Sequence, residues 1–230
     1  MVGLDYKTFS EIVERLRRCE DVKFEYVDVD RVNENLKTCE SVFYKYKCED
    51  CGQVYVIPVR CSYRVCVKCA KKRAMKWYKR LENFVMAWKW PIFLTLTYRW
   101  VREERLRVEI KALKKAFRKL LRKLKIDKKS KGIYSIEKVI KGGGWVYLHL
   151  HALLDYIWLD GEEVERVWKE ITGAYIKRIK RVRMAERKEA LREVIKYILK
   201  GIEDLSIEDK IFYNIVLKNM RMVEKWGFSV

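Results

Sequence analysis

The sequence has no long apolar run. None of its hydrophobic stretches approaches the 18 or so residues that a membrane helix needs, and its N-terminal residues are too charged for a signal peptide. The expected compartment is therefore the cytoplasm, with no membrane partner. Proline occurs only 2 times, and the chain has neither repeats nor a low-complexity linker. At 230 residues it suits one domain, or one domain with a small module. No Gly-rich phosphate-binding loop of the P-loop type is present. Glutamine occurs once, at Gln53, and histidine 2 times. Acidic residues are in deficit, at 32 against 52 Lys and Arg, for a net charge of +20.

What is present answers these absences. Half of the residues are apolar and 13% are aromatic, enough for a large core and too much for wholesale disorder. The excess of positive charge points to a polyanion, either nucleic acid or an acidic membrane surface. Richness in Lys, Glu, Ile and Trp with a single Gln also leans thermophilic, but that habit does not require twenty surplus positives. Between Val59 and Leu81 there are 9 Lys and Arg and no acid, with Tyr63, Trp77 and Tyr78 interleaved. Arg64, Lys68, Lys71, Lys72 and Arg73 lie in this run. Phosphate neutralisation combined with aromatic stacking suits a single strand. A second run, Lys111–Lys131, has 11 basic residues against Asp127, and helix periodicity also explains it as a solvated face.

Hydrophobic periodicity predicts helices over 8–18, 67–90, 106–124, 162–171 and 186–202, with another after Ser206. Strands are predicted over 22–29, 42–47, 54–57, 92–98, 133–140, 145–154 and 174–182. The pattern predicts an α+β fold, with a central antiparallel sheet, helices on one face and an N-terminal zinc-ribbon-like element. The expected division is 1–90, holding a zinc-binding module at 48–69 and a basic helix, and 91–230, the catalytic part, packed as one unit.

Seven cysteines in a reducing compartment do not suggest a disulfide framework. Cys48-x2-Cys51 and Cys66-x2-Cys69 flank 14 residues, a spacing suited to a closed tetrahedral Zn2+ site. Cys61 is an alternative ligand. Cys19 and Cys39 read as small core residues.

Both histidines of the chain, His149 and His151, fall two apart on a predicted strand and so share a face. Two imidazoles on one face make half of a metal site; the alternative is two polar residues on an ordinary strand. A hairpin turn centred on Gly143 puts Glu137 directly opposite His149, whereas one residue more or fewer removes it. Thr95 and Thr97 form the hydroxyl face of the strand Ile92–Tyr98, expected to join the histidine face. On the helix 186–202, Glu193, Tyr197 and Lys200 lie in one line away from the apolar stripe Leu191, Val194, Ile195, Ile198 and Ile202. A solvated face with a stray ion pair would look the same.

Three motifs in order, Phe93-Leu-Thr-Leu-Thr97, His149-Leu-His151 and Tyr197-x2-Lys200, resemble those of HUH endonucleases. More narrowly, they are similar to the rolling-circle replication initiators of small bacterial and archaeal plasmids and viruses, and an archaeal, thermophilic source is expected. Cys61-x4-Cys66-x2-Cys69 followed by Ala-Lys-Lys-Arg73 resembles the cysteine motif of one branch, except that Val67 stands where proline is usual. The resemblance covers about 48–202. It implies an HUH sheet of ferredoxin- or RRM-like type and Mg2+ or Mn2+ held by His149, His151 and Glu137. It also implies attack by Tyr197 on single-stranded origin DNA to give a 5′-phosphotyrosine, and a 3′-hydroxyl extended by a host polymerase with a host helicase. Lys200 would tune the phenol or position the phosphate, and Glu193 would assist the terminating cleavage. With one tyrosine in the motif, a two-tyrosine termination is not implied. A transposase or relaxase of the same superfamily, a hydrolytic nuclease and a non-enzymatic zinc-ribbon binder of nucleic acid are the rival readings.

Overall fold

A computed structural model describes residues 6–20, 29–141 and 143–227. Two helices, α1 (Tyr6–Arg17) and α2 (Val29–Thr38), lead into a hairpin of β1 (Phe43–Lys47) and β2 (Val54–Pro58). A long helix α3 (Val67–Met86) follows, then β3 (Pro91–Arg102) and α4 (Leu106–Lys123). The hairpin β4 (Lys131–Lys141) and β5 (Trp145–Asp155) comes next, then α5 (Gly161–Thr172) and β6 (Ile176–Arg181). The chain finishes with α6 (Arg187–Lys196), α7 (Ile207–Val216) and β7 (Val223–Trp226). The fold is α+β, and its main sheet is antiparallel throughout, in the order β6-β3-β5-β4-β7.

Alternation along each strand separates the two faces of this sheet. Leu94, Leu96, Ile136, Leu148, Leu150 and Ala152 face α4 and α5, whose apolar stripes include Ile110, Leu113, Phe117, Val164 and Trp168. The same buried cluster takes in Ile12 and Leu16 of α1, so the N-terminal helices share the sheet's core. The opposite face is also covered in part. Phe93, Ile133 and Leu153 pack with Leu81 and Val85 of α3 and Leu191, Val194 and Ile195 of α6. Helices therefore lie on both faces rather than one, because α3 and α6 carry apolar stripes of their own that need burial.

Four elements, α2, β7, α3 and α6, differ from the sequence expectation. The strand expected over 22–29 lies outside the described residues, apart from Val29, which opens α2. That helix was not predicted; its signal is only Val29, Val32 and Leu36 in a polar ten-residue stretch. β7 was also not predicted, being four residues long; its register is fixed where Trp226 crosses Gly132. A Cβ on Gly132 would stand 2.3 Å from the Trp226 ring, so only glycine fits there. Helix α3 stops at Met86 instead of reaching Trp90, and Trp88 turns into the core. Helix α6 stops at Lys196 instead of Ile202, as the chain turns through Gly201 at φ +74° to cross the β4 edge.

A buried ion cluster fastens the N-terminal and C-terminal helices to the end of β3. Arg15 donates to both carboxylate oxygens of Glu103 at 3.0 Å and to Asp209 at 2.8 Å. Tyr213 donates to Glu103 at 3.3 Å, and the Arg15 guanidinium lies 4.2 Å from the centre of the Phe212 ring. Glu103 is buried, so losing its carboxylate strands both donors. Glu103→Ala is expected to cost about 3 kcal/mol in urea unfolding, whereas truncating the exposed pair partner Glu189 is expected to cost less than about 0.5 kcal/mol.

Candidate active site and zinc centre

The β4–β5 turn contains Gly143 and Gly144 at φ +75° and +74°, and it sets Glu137 opposite His149 and Ser135 opposite His151. Across the other ladder, Thr95 pairs with His151 and Thr97 with His149. The histidine and hydroxyl faces are thus one face, at the centre of the sheet. Glu137 Oε2 lies 2.8 Å from His151 Nε2 and 3.2 Å from His149 Nδ1, and Thr95 Oγ1 lies 3.2 Å from His151 Nδ1. All three ligand-type residues are buried. Burial opposes the charge of Glu137, but hydrogen bonds from His149, His151 and Lys200 outweigh it and hold its carboxyl far below the usual range. Burial pushes the His151 pKa down.

These donors fit a divalent cation. One carboxylate oxygen and two imidazole nitrogens lie within 4.8 Å of one another. His149 Nε2 is buried with no hydrogen-bond partner, a cost that a bound cation would remove. Lys200 supplies the positive charge on the carboxylate in this structure, with its Nζ 2.5 Å from Glu137 Oε1.

Tyr197 caps the C-terminal end of α6, and its ring lies flat on His151, with centroids 3.7 Å apart and planes 6° apart. Its hydroxyl donates to Glu193 at 3.1 Å. Burial, followed by the charges of Glu193 and Glu137, raises its pKa well above that of a free phenol. The helix ends before Lys200, so this side chain reaches Glu137 instead of continuing the line of Glu193 and Tyr197 along one helix face.

Sequence reasoning did not single out four further residues here. Lys196 pairs with Glu193 at 2.6 Å, Tyr147 packs edge-on against His149, Ser135 donates to the Val194 carbonyl, and Arg178 bears electrostatically on Tyr197. Ser135, Tyr147 and Arg178 lie on the histidine face by strand parity, a signal that was available. Thr97 does not touch either histidine ring by a hydrogen bond; its hydroxyl donates to the Tyr175 carbonyl.

The cysteines divide differently from the expected set. Cys39, Cys61, Cys66 and Cys69 come together, with Sγ–Sγ separations of 3.6 Å for Cys39–Cys69 and 3.7 Å for Cys61–Cys69. Zinc bonds of about 2.3 Å in a tetrahedron give sulfur–sulfur edges of about 3.8 Å. Burial pushes Cys69 up to about 11 and Cys61 higher still, while hydrogen bonds from the other three cysteines outweigh burial at Cys39 and pull it down. Cys48 and Cys51 sit at the tip of the β1–β2 hairpin, outside this cluster, because five-residue strands carry the tip about 17 Å from the base. The base itself, closed by Glu40 N to Val59 O and Val59 N to Val42 O, is what brings the segments of Cys39 and Cys61 side by side. Cys39 is therefore a ligand candidate and not merely a core residue, and Cys61 belongs with Cys66 and Cys69. Cys19 is buried in the main core, as expected.

The basic residues named from the sequence are spread over several roles. Lys68 donates to the Cys39 carbonyl, Lys71 pairs with Glu203, and Lys72 is exposed. Arg64 and Arg73 line a cleft of about 620 Å3 together with Trp77, Arg118, Arg221 and Tyr197. Burial and the neighbouring Arg73 lower the Arg64 pKa, the mark of positive charges held together.

Residues 54–227, three quarters of the chain, match the family described as replication protein. The chain belongs to that family. Residues 9–97 match the transposase zinc-binding domain. Among curated proteins and solved structures, none matches the chain. The two matches make this an HUH protein of replication-initiator or transposase type, an endonuclease-type enzyme with a zinc-binding N-terminus. They imply binding to DNA at an origin. No helix among the described residues is long and apolar enough to cross a membrane.

Cys39→Ser is expected to remove the zinc held by the four-thiol cluster and to lower Tm by roughly 10 °C. Cys48→Ser should keep that ion, and metal analysis beside thermal melting reads both outcomes.

Proposed function

We propose that this protein initiates rolling-circle replication by nicking and rejoining single-stranded origin DNA through Tyr197. The observation that carries this reading is the stacking of Tyr197 on His151, within the Glu137–His149–His151 group. A phenol held against a cluster able to bind a cation has the parts needed for reversible transfer of a phosphodiester.

Glu137, His149 and His151 would hold Mg2+ or Mn2+. When bound, the ion supplies charge neutralisation at the scissile phosphate. The chain's own residues do the rest. Tyr197 Oη attacks phosphorus and its proton passes to Glu193, the acceptor already in place. The new O–P bond leaves DNA on tyrosine as a 5′-phosphate ester, and the broken P–O bond frees a 3′-oxygen that takes a proton from water to become a 3′-hydroxyl. Lys200, Lys196 and Arg178 place positive charge around the ring and stabilise the negative charge that builds up there. Burial keeps the phenol protonated until substrate arrives, which limits idle reactivity. Rejoining reverses the same steps, with the 3′-hydroxyl as nucleophile. A host polymerase would extend that hydroxyl and a host helicase would open the duplex.

The cleft lined by Arg64, Arg73, Arg118 and Arg221 opens at Tyr197 and offers a track for the strand. The match to a transposase zinc-binding domain favours a second reading, in which the same chemistry moves a mobile element. Strand transfer between two ends of such an element, without activity on a replicon origin, would select it.

Incubating labelled single-stranded origin DNA from the encoding replicon with the protein and Mn2+ or Mg2+ tests the proposal. A labelled protein band on a denaturing gel is expected from wild type and none from Tyr197→Phe; cleavage without any band would overturn the covalent route. Glu193→Gln should slow adduct formation about 100-fold. The double variant Arg64→Ala, Arg73→Ala should weaken single-strand binding and reduce the slope of log K against log salt by about 1.4, the equivalent of two phosphate contacts.

A further inference from the structure

Two cysteines take part in neither the four-thiol cluster nor the tyrosine site. Cys48 and Cys51 stand at the tip of the β1–β2 hairpin, Cys51 exposed and Cys48 half-buried. The turn between them is shaped to hold metal. The Cys48 N–H donates to the Gln53 carbonyl, the Gly52 N–H donates to the Cys48 carbonyl, and Gly52 turns at φ +69°. Both cysteines therefore stand on one hydrogen-bonded turn. A structural zinc site takes four such ligands, and this loop supplies two. Among the described residues, no third cysteine, histidine or carboxylate completes a group with them.

The hairpin that carries the pair is itself unfinished. Among the described residues its strands pair only with each other, and an isolated two-stranded ribbon is marginal in water. Phe43, Tyr44, Val54, Val56 and Ile57 are each 48–57% exposed, an apolar surface on both sides of the ribbon. Charge argues against a nucleic acid as the partner. Residues 42–58 hold Lys45 and Lys47 against Glu49 and Asp50, a balance of zero in a chain of net charge +20. The same neutrality lets two copies approach here without the repulsion that the rest of the surface would impose.

We propose that Cys48 and Cys51 are half of a second zinc site, completed by the same pair from a second copy of this chain. One shared ion then joins two hairpins tip to tip, and their exposed apolar strands pack beside it.

The test uses the full chain purified in reductant, with zinc measured by mass spectrometry and molar mass by light scattering. Wild type is expected as a dimer with about 1.5 zinc per chain, one in each four-thiol cluster and one shared. A chelator mild enough to spare the buried cluster should give monomers with one zinc per chain. The double variant Cys48→Ser, Cys51→Ser should be a monomer with one zinc and unchanged melting of the rest of the fold. Three results would overturn the proposal: one zinc per chain in wild type, two zinc in a monomer, or a dimer that survives in the double variant.

Discussion

The Glu137 carboxylate is buried in the middle of a sheet, and the surrounding structure is arranged to keep it charged there. Taking a carboxylate out of water costs several kcal/mol, and only close donors and a nearby cation offset that. His149 and His151 come to it by strand register and Lys200 by the turn after α6. Each depends on a different part of the chain. A β4–β5 turn one residue longer would send Glu137 to the α4 face, and an α6 two turns longer would carry Lys200 out of reach. The end of the tyrosine helix and the length of the glycine turn thus answer to the same buried charge.

Much of this was legible in the sequence because strand parity is a local rule. His149 and His151 two apart, the hydroxyls of Thr95 and Thr97, and Glu137 opposite His149 all follow from counting along alternating strands. Counting failed where a longer-range constraint decided the matter. The end of α6 depends on crossing the β4 edge through Gly201, which no periodicity reveals. The second helical layer depends on α3 and α6 finding a shared face. The two paired C-x2-C motifs looked like one site because their spacing suits one, yet a hairpin places its tip far from its base however close they are in sequence. The segments at its base, those of Cys39 and Cys61, are the ones it brings together.

The two family matches overlap over residues 54–97, and the structure gives that overlap a physical meaning. Cys66 caps α3 and Cys69 lies in its first turn, so the four-thiol cluster fixes the start of this helix. Further along, α3 packs with α6, whose end carries Tyr197. The N-terminal cluster is therefore joined through one continuous helix to the face that holds Tyr197 and the histidines, while α1 is tied to the same body through Arg15 and Glu103.

The tyrosine and the groups it faces rest on unequal foundations. His149 and His151 lie on the central strand, with ladders on both sides. Tyr197 begins a run of single turns, Ile198 to Ile195, Leu199 to Lys196 and Ile202 to Leu199, with Gly201 among them. Backbone of this kind opens locally at far less free energy than the centre of a sheet. A DNA end attached to the phenol would therefore tug on the part of the molecule that yields most readily. The strand could swing away and return while the imidazoles keep their places, much as a hinged arm moves over a fixed anvil.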